Sequence, residues 1–497
     1  MSGGHVFVVL GRIESVVHDV AVVSTSGAFR IREYWLDLLG SSGAAVDRHR
    51  PVQLAEKGYG PSPVDERLWF VSVGAAKRSR LEEIHSRLSA TIEEIAALGV
   101  RAGANREKLL VAVPVIGIEG GGLGERRGEV LKGQLEVCVQ LARQHDIDIA
   151  VVTPDRAVYG AAQYLRTQLR TPAGWDLSPH LQDEARRIGA LARSGELALF
   201  LGAGVSLPAG LPTWDELIGL LSNGRLGLKE SSLSALDQAQ LIELRSEPGE
   251  LGQRVAEITS AVKRPSLGHA LLASLETKEI VTTNYDRLFE TAVMAVDDEP
   301  IAILPWETSR RDRPWILKMH GDIMHADKIV LTRRHFVQFD ANVRPAGALL
   351  QSLLMTRHLL VVGASLNDDN VVRLAHEVQA YRETHGLEGR FGTLLDLDGD
   401  PLREELWSGQ LDWITLPGGD VVERARGLEI FLDAVAAAAS SNSSWLLDQR
   451  FEDLLNSDNS RKRASLARQL FRTIPYDSKT WAPLRELLVD LGAESGK

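Results

Sequence analysis

The chain has 497 residues, with 56 basic against 67 acidic side chains and a net charge of −11, a balance that offers no broad attraction for nucleic acid. Its single cysteine, Cys138, excludes an intrachain disulfide and a four-cysteine zinc site. No run approaches the roughly 18 apolar residues of a membrane span, and the opening MSGGHVFVVL lacks the charged start of a signal peptide, so a cytoplasmic protein of about three domains is expected.

In chain order, residues 1–165 read as an α/β domain. Continuous apolar runs predict strands at Val6–Leu10, Asp19–Val23 and Leu68–Val73. A helix follows over Ser79–Leu98, with Leu81, Ile84, Leu88, Ile92 and Ile95 at helical spacing. The next strand, Leu109–Pro114, empties into a glycine-rich loop over 117–130 that also carries Arg126 and Arg127. Such a loop is rich in anion-binding groups, and it reads equally as a plain surface turn. A helix that buries Leu131, Leu135, Cys138 and Leu141 leads to a strand at Ile147–Thr153. Thr171-Pro172-Ala173-Gly174 and Ser178-Pro179 then mark a linker over 166–180.

The central domain, 181–440, begins with a helix over Leu181–Arg193 and a buried strand over Leu197–Leu201. The chain turns at Gly202 and Gly204, where a backbone without Cβ atoms can approach a phosphate. Thr213 and Glu216 have the spacing of a capping box, so a helix starts there. Leu233–Arg245 and Leu251–Val262 form a helical insertion beside this corner. The run Glu279–Glu290 places Thr283, Asn284 and Asp286 at a strand end, with Asp286 also readable as a helix N-cap. The run Trp315–Ile323 ends in His320-Gly321, a proton-transfer group at a strand end. His320, Asp322, His325 and Asp327 have metal-type spacing, yet nothing elsewhere completes the set. That stretch reads instead as a polar loop before a strand at Lys328–Thr332, and no metal is expected. A fourth strand end, within His358–Leu374, carries Gly363, Ser365 and the helix-starting Asp368. Strands at Phe391–Asp396 and Leu411–Leu416 complete an alternation of strand and helix expected of a doubly wound parallel sheet. Beyond the serine-rich hinge Ala436–Ser444, residues 441–497 read as a short helical tail whose apolar faces pack on the central sheet or dock a partner.

Taken together, Gly202-Ala203-Gly204-Val205-Ser206, Thr283-Asn284-Tyr285-Asp286, His320-Gly321 and Gly363-Ala364-Ser365 resemble, in order, the NAD-binding signature of the sirtuin superfamily, a Rossmann-type fold. The Gly-Leu-Pro-Thr-Trp run and the Asn-Tyr-Asp form look most like its prokaryotic defence-associated branch, whose members degrade NAD during phage infection. One cysteine cannot supply the structural zinc usual in deacetylases, and Pro212-Thr213-Trp214 stands where they carry Asp-Phe-Arg. The strand order and glycine-rich loop of residues 1–165 resemble a macro domain, an ADP-ribose-binding module, although Gly11-Arg12-Ile13-Glu14 replaces its usual acidic motif and Ser24-Thr25-Ser26 its asparagine-rich loop.

The resemblance implies an NAD hydrolase, with NAD as substrate rather than resident cofactor. The product would be nicotinamide plus ADP-ribose or a cyclic form, and the protein a regulated anti-phage effector. The alternatives are a binding module that holds NAD or ADP-ribose without cleaving it, and an NAD-dependent deacylase. By resemblance, Asn284 orients water or the ribose, Asp286 positions the nicotinamide side, and His320 is the general base. Gly202, Ala203, Gly204 and Ser206 cradle the pyrophosphate, with Thr283 alongside, while Gly363, Ser365 and Asp368 serve the adenosine half. A nucleotide or ADP-ribose-like signal at the N-terminal domain, and a homo-oligomer or partner defence protein, are also expected.

Overall fold

Apolar runs without polar alternation form strands buried on both faces, and here they assemble two separate sheets. The computed structural model describes residues 3–40, 43–74, 80–99, 103, 105–119, 122–168, 175–222, 233–297, 299–440 and 443–494. The expected Thr171–Gly174 boundary signal lies outside them. The chain divides into a first unit, residues 1–182 with 440–497, and a second unit, residues 183–439.

The first unit holds β1 (Val6–Leu10), β2 (Val20–Thr25), β3 (Tyr59–Pro61), β4 (Leu68–Ser72), β5 (Leu110–Pro114) and β6 (Asp148–Thr153). They lie in the order β1-β6-β5-β2-β4-β3, parallel except for β3. That three-residue edge strand, absent from the sequence reading, tolerates Pro61 because an edge needs fewer ladder bonds. The helix Leu81–Ala97 buries Ile84, Leu88, Ile92 and Ile95, the stripe its spacing predicts. Cys138 is fully buried on the helix Arg127–His145, and burial pushes its thiol up to about 12, so it stays protonated.

The tail completes this first unit instead of covering the central sheet. Its segment Gln449–Leu454 buries Phe451 and Leu454, and Asp453 lies so close to the helix Arg127–His145 that a Cβ on Gly128 would sit 2.3 Å from its Oδ1. Trp445 rests on Tyr164 with ring centroids 4.8 Å apart. Two helices, Asp458–Thr473 and Ala482–Asp490, follow. The Trp445–Leu455 stretch is thus a short 3-10 turn rather than a full helix, and the helix before the expected hinge runs on to Ala439.

In the second unit, β7 (Leu197–Leu201), β8 (Glu279–Thr282), β9 (Ala302–Leu304), β10 (Trp315–Lys318), β11 (His358–Val362), β12 (Gly392–Asp396) and β13 (Leu411–Thr415) form a fully parallel sheet. The order is β13-β12-β11-β7-β8-β10-β9, so the chain leaves β7 toward one edge and returns at β11 toward the other. The crevice between β7 and β11 is therefore the topological switch point, where ligands of open α/β sheets bind.

Strand β9 is too short to show an apolar period. Lys328–Thr332 is no strand: Val330 N–H makes one bond to the His320 carbonyl, Leu331 is buried in the helical insertion, and Thr332 caps the helix Arg333–Val337. The insertion is present as the helices Ala235–Leu244 and Glu250–Ser260, packed with Leu217, Tyr285 and Ile329. No helix among the described residues is long and apolar enough to cross a membrane.

Candidate functional site

The carboxyl ends of β7, β8, β10 and β11 all open on one cavity of about 590 Å³. Its wall includes Gly202, Ala203, Gly204, Ser206, Thr283, Asn284, Asp286, His320, Gly363, Ser365 and Asp368, so every site residue expected from the sequence comes together. Leu236 and Thr259 bring the helical insertion to the same wall. The capping box predicted at the entrance forms as expected: Thr213 N–H donates to Glu216 Oε2 at 2.8 Å and Glu216 N–H to Thr213 Oγ1 at 3.3 Å.

The glycines of this corner have a reason besides a ligand. A Cβ on Gly202 would lie 2.4 Å from the Gly363 carbonyl oxygen, and one on Gly204 would lie 2.8 Å from Gly363 Cα. Gly363 itself has φ +69° and would place a Cβ 2.5 Å from Val205 N. The two turns interlock, with Gly202 N–H donating to Val362 O at 2.9 Å and Gly204 N–H to Gly363 O at 2.8 Å. Val205 and Ser206 N–H are engaged by Gly202 and Ala203 carbonyls. Among these turn donors the Ala203 N–H remains for a ligand, on an exposed residue in the cavity wall.

The polar side chains divide into two groups. In the first, Asn284 Nδ2 donates to Gly202 O at 3.1 Å and to Ser206 Oγ at 3.2 Å, and Ser206 Oγ donates to Asp286 Oδ2 at 3.0 Å. Asp286 Oδ1 accepts the Leu288 N–H at 2.9 Å, which caps the helix Leu288–Asp297. Both Asp286 oxygens are therefore bonded within the protein. Asn284 Oδ1, by contrast, is buried and has no hydrogen-bond partner.

In the second group, His320 is 3% exposed and its Nε2 lies 2.9 Å from Asp368 Oδ2, close enough for an ion pair though not aligned as a hydrogen bond. Burial pushes the Asp368 carboxyl up, but His320 and the N–H groups of Val371 and Asn370 outweigh it and hold Asp368 below the usual range. Asp368 is thereby kept charged beside the imidazole. Phe336 and Phe339 close on the ring edge-on at 5.1 and 6.3 Å.

Beneath the floor sits a charge cluster that spacing alone did not reveal. Lys318, 3% exposed, donates to the Asp286 carbonyl, lies 3.0 Å from Glu290 Oε1 and 3.5 Å from Asp322 Oδ2. Asp322 is also bridged by Arg287 at 2.9 Å. Burial pushes the Glu290 carboxyl up against the pull of Lys318. Of the metal-type spacing weighed in the sequence, Asp322 is thus held by two cations, His325 stacks on Trp306 at 4.3 Å, and Asp327 pairs with Lys328 at 3.0 Å. No group of His, Cys, Asp or Glu arranged to hold a metal occurs among the described residues. His269, also unforeseen, is buried and bonded to Ser206; the one sequence signal was its place three residues after the N-cap Ser266.

Residues 278–407 match the SIR2-like domain family. The chain is 28% identical over 204 residues to an Acinetobacter baumannii protein named NAD(+) hydrolase ThsA, a match covering 40% of this chain and 42% of that one. A Bacillus cereus protein of the same name is 28% identical over 193 residues, 37% of this chain and 40% of the other. Defense-associated sirtuin 2 of Bacillus subtilis is 25% identical over 211 residues, covering 39% and 20%. The matched region thus spans less than half the length of each of these relatives. The residues that match the SIR2-like domain family thus carry three of the four strand ends that open on the cavity, in a parallel sheet whose crevice lies at the switch point.

Proposed function

We propose that the chain is an NAD hydrolase that releases nicotinamide and leaves ADP-ribose or a cyclic form, and that it acts in the cytoplasm as a regulated anti-phage effector. The observation that carries this reading is the pairing, in one cavity, of an unpartnered acceptor, Asn284 Oδ1, with the His320–Asp368 pair. The names of the relatives support it.

Cleavage of the nicotinamide bond builds positive charge on the ribose, which pre-placed acceptors stabilise. Asn284 Oδ1 accepts a hydrogen bond from the attacking water or a ribose hydroxyl. His320 takes the proton as the new bond to C1′ forms, with the Asp368 carboxylate orienting the ring and supporting its positive charge. Ala203 N–H, Ser365 and Thr283 contact the dinucleotide. Asp286 acts through Ser206, since both its oxygens are already engaged. The test is nicotinamide release from NAD by the purified protein, with products identified by mass spectrometry. His320→Ala and Asn284→Ala should each abolish release. Tight NAD binding with no release would favour the non-catalytic sensor.

Control is assigned to residues 1–165, with 166–180 as linker and 441–497 as tail. A cavity of about 520 Å³ opens where β1, β2, β5 and β6 end, lined by Arg12, Arg30, Arg32, Tyr34 and Trp35. Trp35 is 5% exposed and its indole N–H has no partner. Glu14, Glu119 and Asp155 share the wall, and arginines and aromatic rings at the carboxyl edge of a parallel sheet, with carboxylates beside them to accept from hydroxyls, suit a nucleotide or ADP-ribose-like signal. Deleting the response of nicotinamide release to added nucleotides by Arg30→Ala with Arg32→Ala would support this assignment.

A further inference from the structure

The hydrogen-bond directions around Ser206 can be assigned without seeing a proton. Ser266 N–H lies 3.2 Å from His269 Nδ1, and a backbone amide can only donate, so Nδ1 carries no proton. Ser266 Oγ has one proton and lies within reach of two acceptors, Nδ1 at 2.8 Å and the Val205 carbonyl at 2.9 Å, so the backbone amide alone makes the assignment. The ring is 1% exposed and burial pushes its basicity down to about 4, so at neutral pH it is uncharged and its one proton sits on Nε2. Nε2 faces Ser206 Oγ at 3.3 Å and therefore donates to it. The Ser206 proton is left to point at Asp286 Oδ2, and its second lone pair receives Asn284 Nδ2. The other bond of Nδ2, to the Gly202 carbonyl, fixes the amide the same way round. Asn284 Oδ1 is then the amide atom left without a partner in the protein.

We propose that His269 is a positioning residue for catalysis: its Nε2–H holds the Ser206 hydroxyl toward Asp286, and so holds the Asn284 amide with its oxygen presented to the reacting centre. With this donor lost, the Ser206 hydroxyl turns freely and Asn284 can flip, presenting a donor where an acceptor is needed. The helix Leu267–Ala273 is entirely buried, which keeps this arrangement stiff. The inference rests on the NAD-hydrolase reading for its kinetic consequence and on geometry alone for the tautomer.

The experiment compares the full-length wild type with His269→Leu, His269→Gln, Ser206→Ala and the Ser206→Ala/His269→Leu double variant in steady-state nicotinamide release, each first checked for wild-type thermal unfolding and circular dichroism. His269→Leu should lower kcat roughly tenfold to a hundredfold with KM for NAD changed less than about twofold, the pattern of a lost transition-state interaction. His269→Gln, whose amide N–H reaches the Nε2 position, should recover part of the loss. In the Ser206→Ala background His269→Leu should add little, because both changes cut one chain of bonds. A wild-type kcat in His269→Leu, or fully multiplicative effects in the double variant, would overturn the proposal. The tautomer is read separately from 15N-histidine spectra, with the His269 signal assigned by its loss in His269→Gln. An Nδ1–H signal there overturns the proposal whether or not the wild type turns over. An inactive wild type with an Nε2–H signal instead removes the hydrolase reading and leaves the positioning geometry standing.

Discussion

His320 Nε2 stands 2.9 Å from Asp368 Oδ2, and the same carboxylate accepts the Asn370 and Val371 N–H groups through Oδ1. One side chain thus starts the helix Asp369–Thr384 and orients the imidazole. The two roles can be separated. Asp368→Asn keeps an N-cap acceptor, so stability should change by less than about 0.5 kcal/mol, whereas the lost charge should lower kcat for nicotinamide release roughly tenfold to a hundredfold. Asp368→Ala should add a loss of about 1 kcal/mol in chemical denaturation. Equal kinetic losses with unequal stability would show that the charge, not the cap, serves the chemistry.

The interlocked turns after β7 and β11 predict a stability effect at residues that also line the cavity. Gly363→Ala meets both a left-handed backbone and Val205 N at 2.5 Å. Backbone atoms cannot give way as a flexible side chain can, so a cost of about 1–3 kcal/mol is expected, together with loss of nicotinamide release. Denaturant titration of the variant measures the first and the activity assay the second. A Gly363→Ala protein as stable as wild type would show that the turns separate more readily than their packing indicates.

Acid should destabilise the second unit through two buried histidines. His269 and His358 are both pushed from 6.5 down to about 4, in each case chiefly by burial. Between those values the unfolded chain binds protons that the folded chain does not, so stability falls as pH drops from about 6.5 toward 4. Each histidine contributes a slope of up to about 1.4 kcal/mol per pH unit within that window. Unfolding free energies measured across it should show this slope, and His358→Asn should make it shallower.

Lys318 is the fourth predicted weak point. It is the shared cation of Glu290 and Asp322 and also holds the Asp286 carbonyl, with almost no exposure to water. Lys318→Met leaves two buried carboxyl groups with one fewer cation, a change that costs about 3–5 kcal/mol. Glu290, already pushed up by burial, should then take a proton, so Lys318→Met with Glu290→Gln should recover part of the lost thermal stability.

How much of this was legible beforehand follows from the physics of each feature. Parallel strands buried on both faces are continuous apolar runs, so β7, β8, β10 and β11 and the polar residues at their ends could be read directly. Edge strands of three residues, β3 and β9, carry too little pattern to be seen. The run Lys328–Thr332 has strand composition, but packing against the helical insertion and the Thr332 cap overrode it. His269 sits in a helix buried on all sides, and nothing local shows that its Nε2 will meet Ser206. The same holds for Asp368 and His320, which are brought together only when β10 and β11 reach the same edge of the sheet. The metal-type spacing of His320, Asp322 and His325 misleads because Arg287, outside that spacing, claims Asp322.

The return of residues 440–497 to the first unit sets an order on synthesis. Residues 183–439 leave the ribosome as a complete unit while the first unit still lacks Phe451, Leu454 and the Asp453 side chain that fits over Gly128. Folding of the first unit therefore has to wait for segments made after the second unit, with its earlier strands held in a partly finished state across the whole translation of the insert. A chain broken off near Ala439 would keep the residues of the cavity at the ends of β7, β8, β10 and β11 and lack part of the first unit, which holds the other cavity. Under the function proposed above, a break at that point would leave the cavity without the unit assigned to its control.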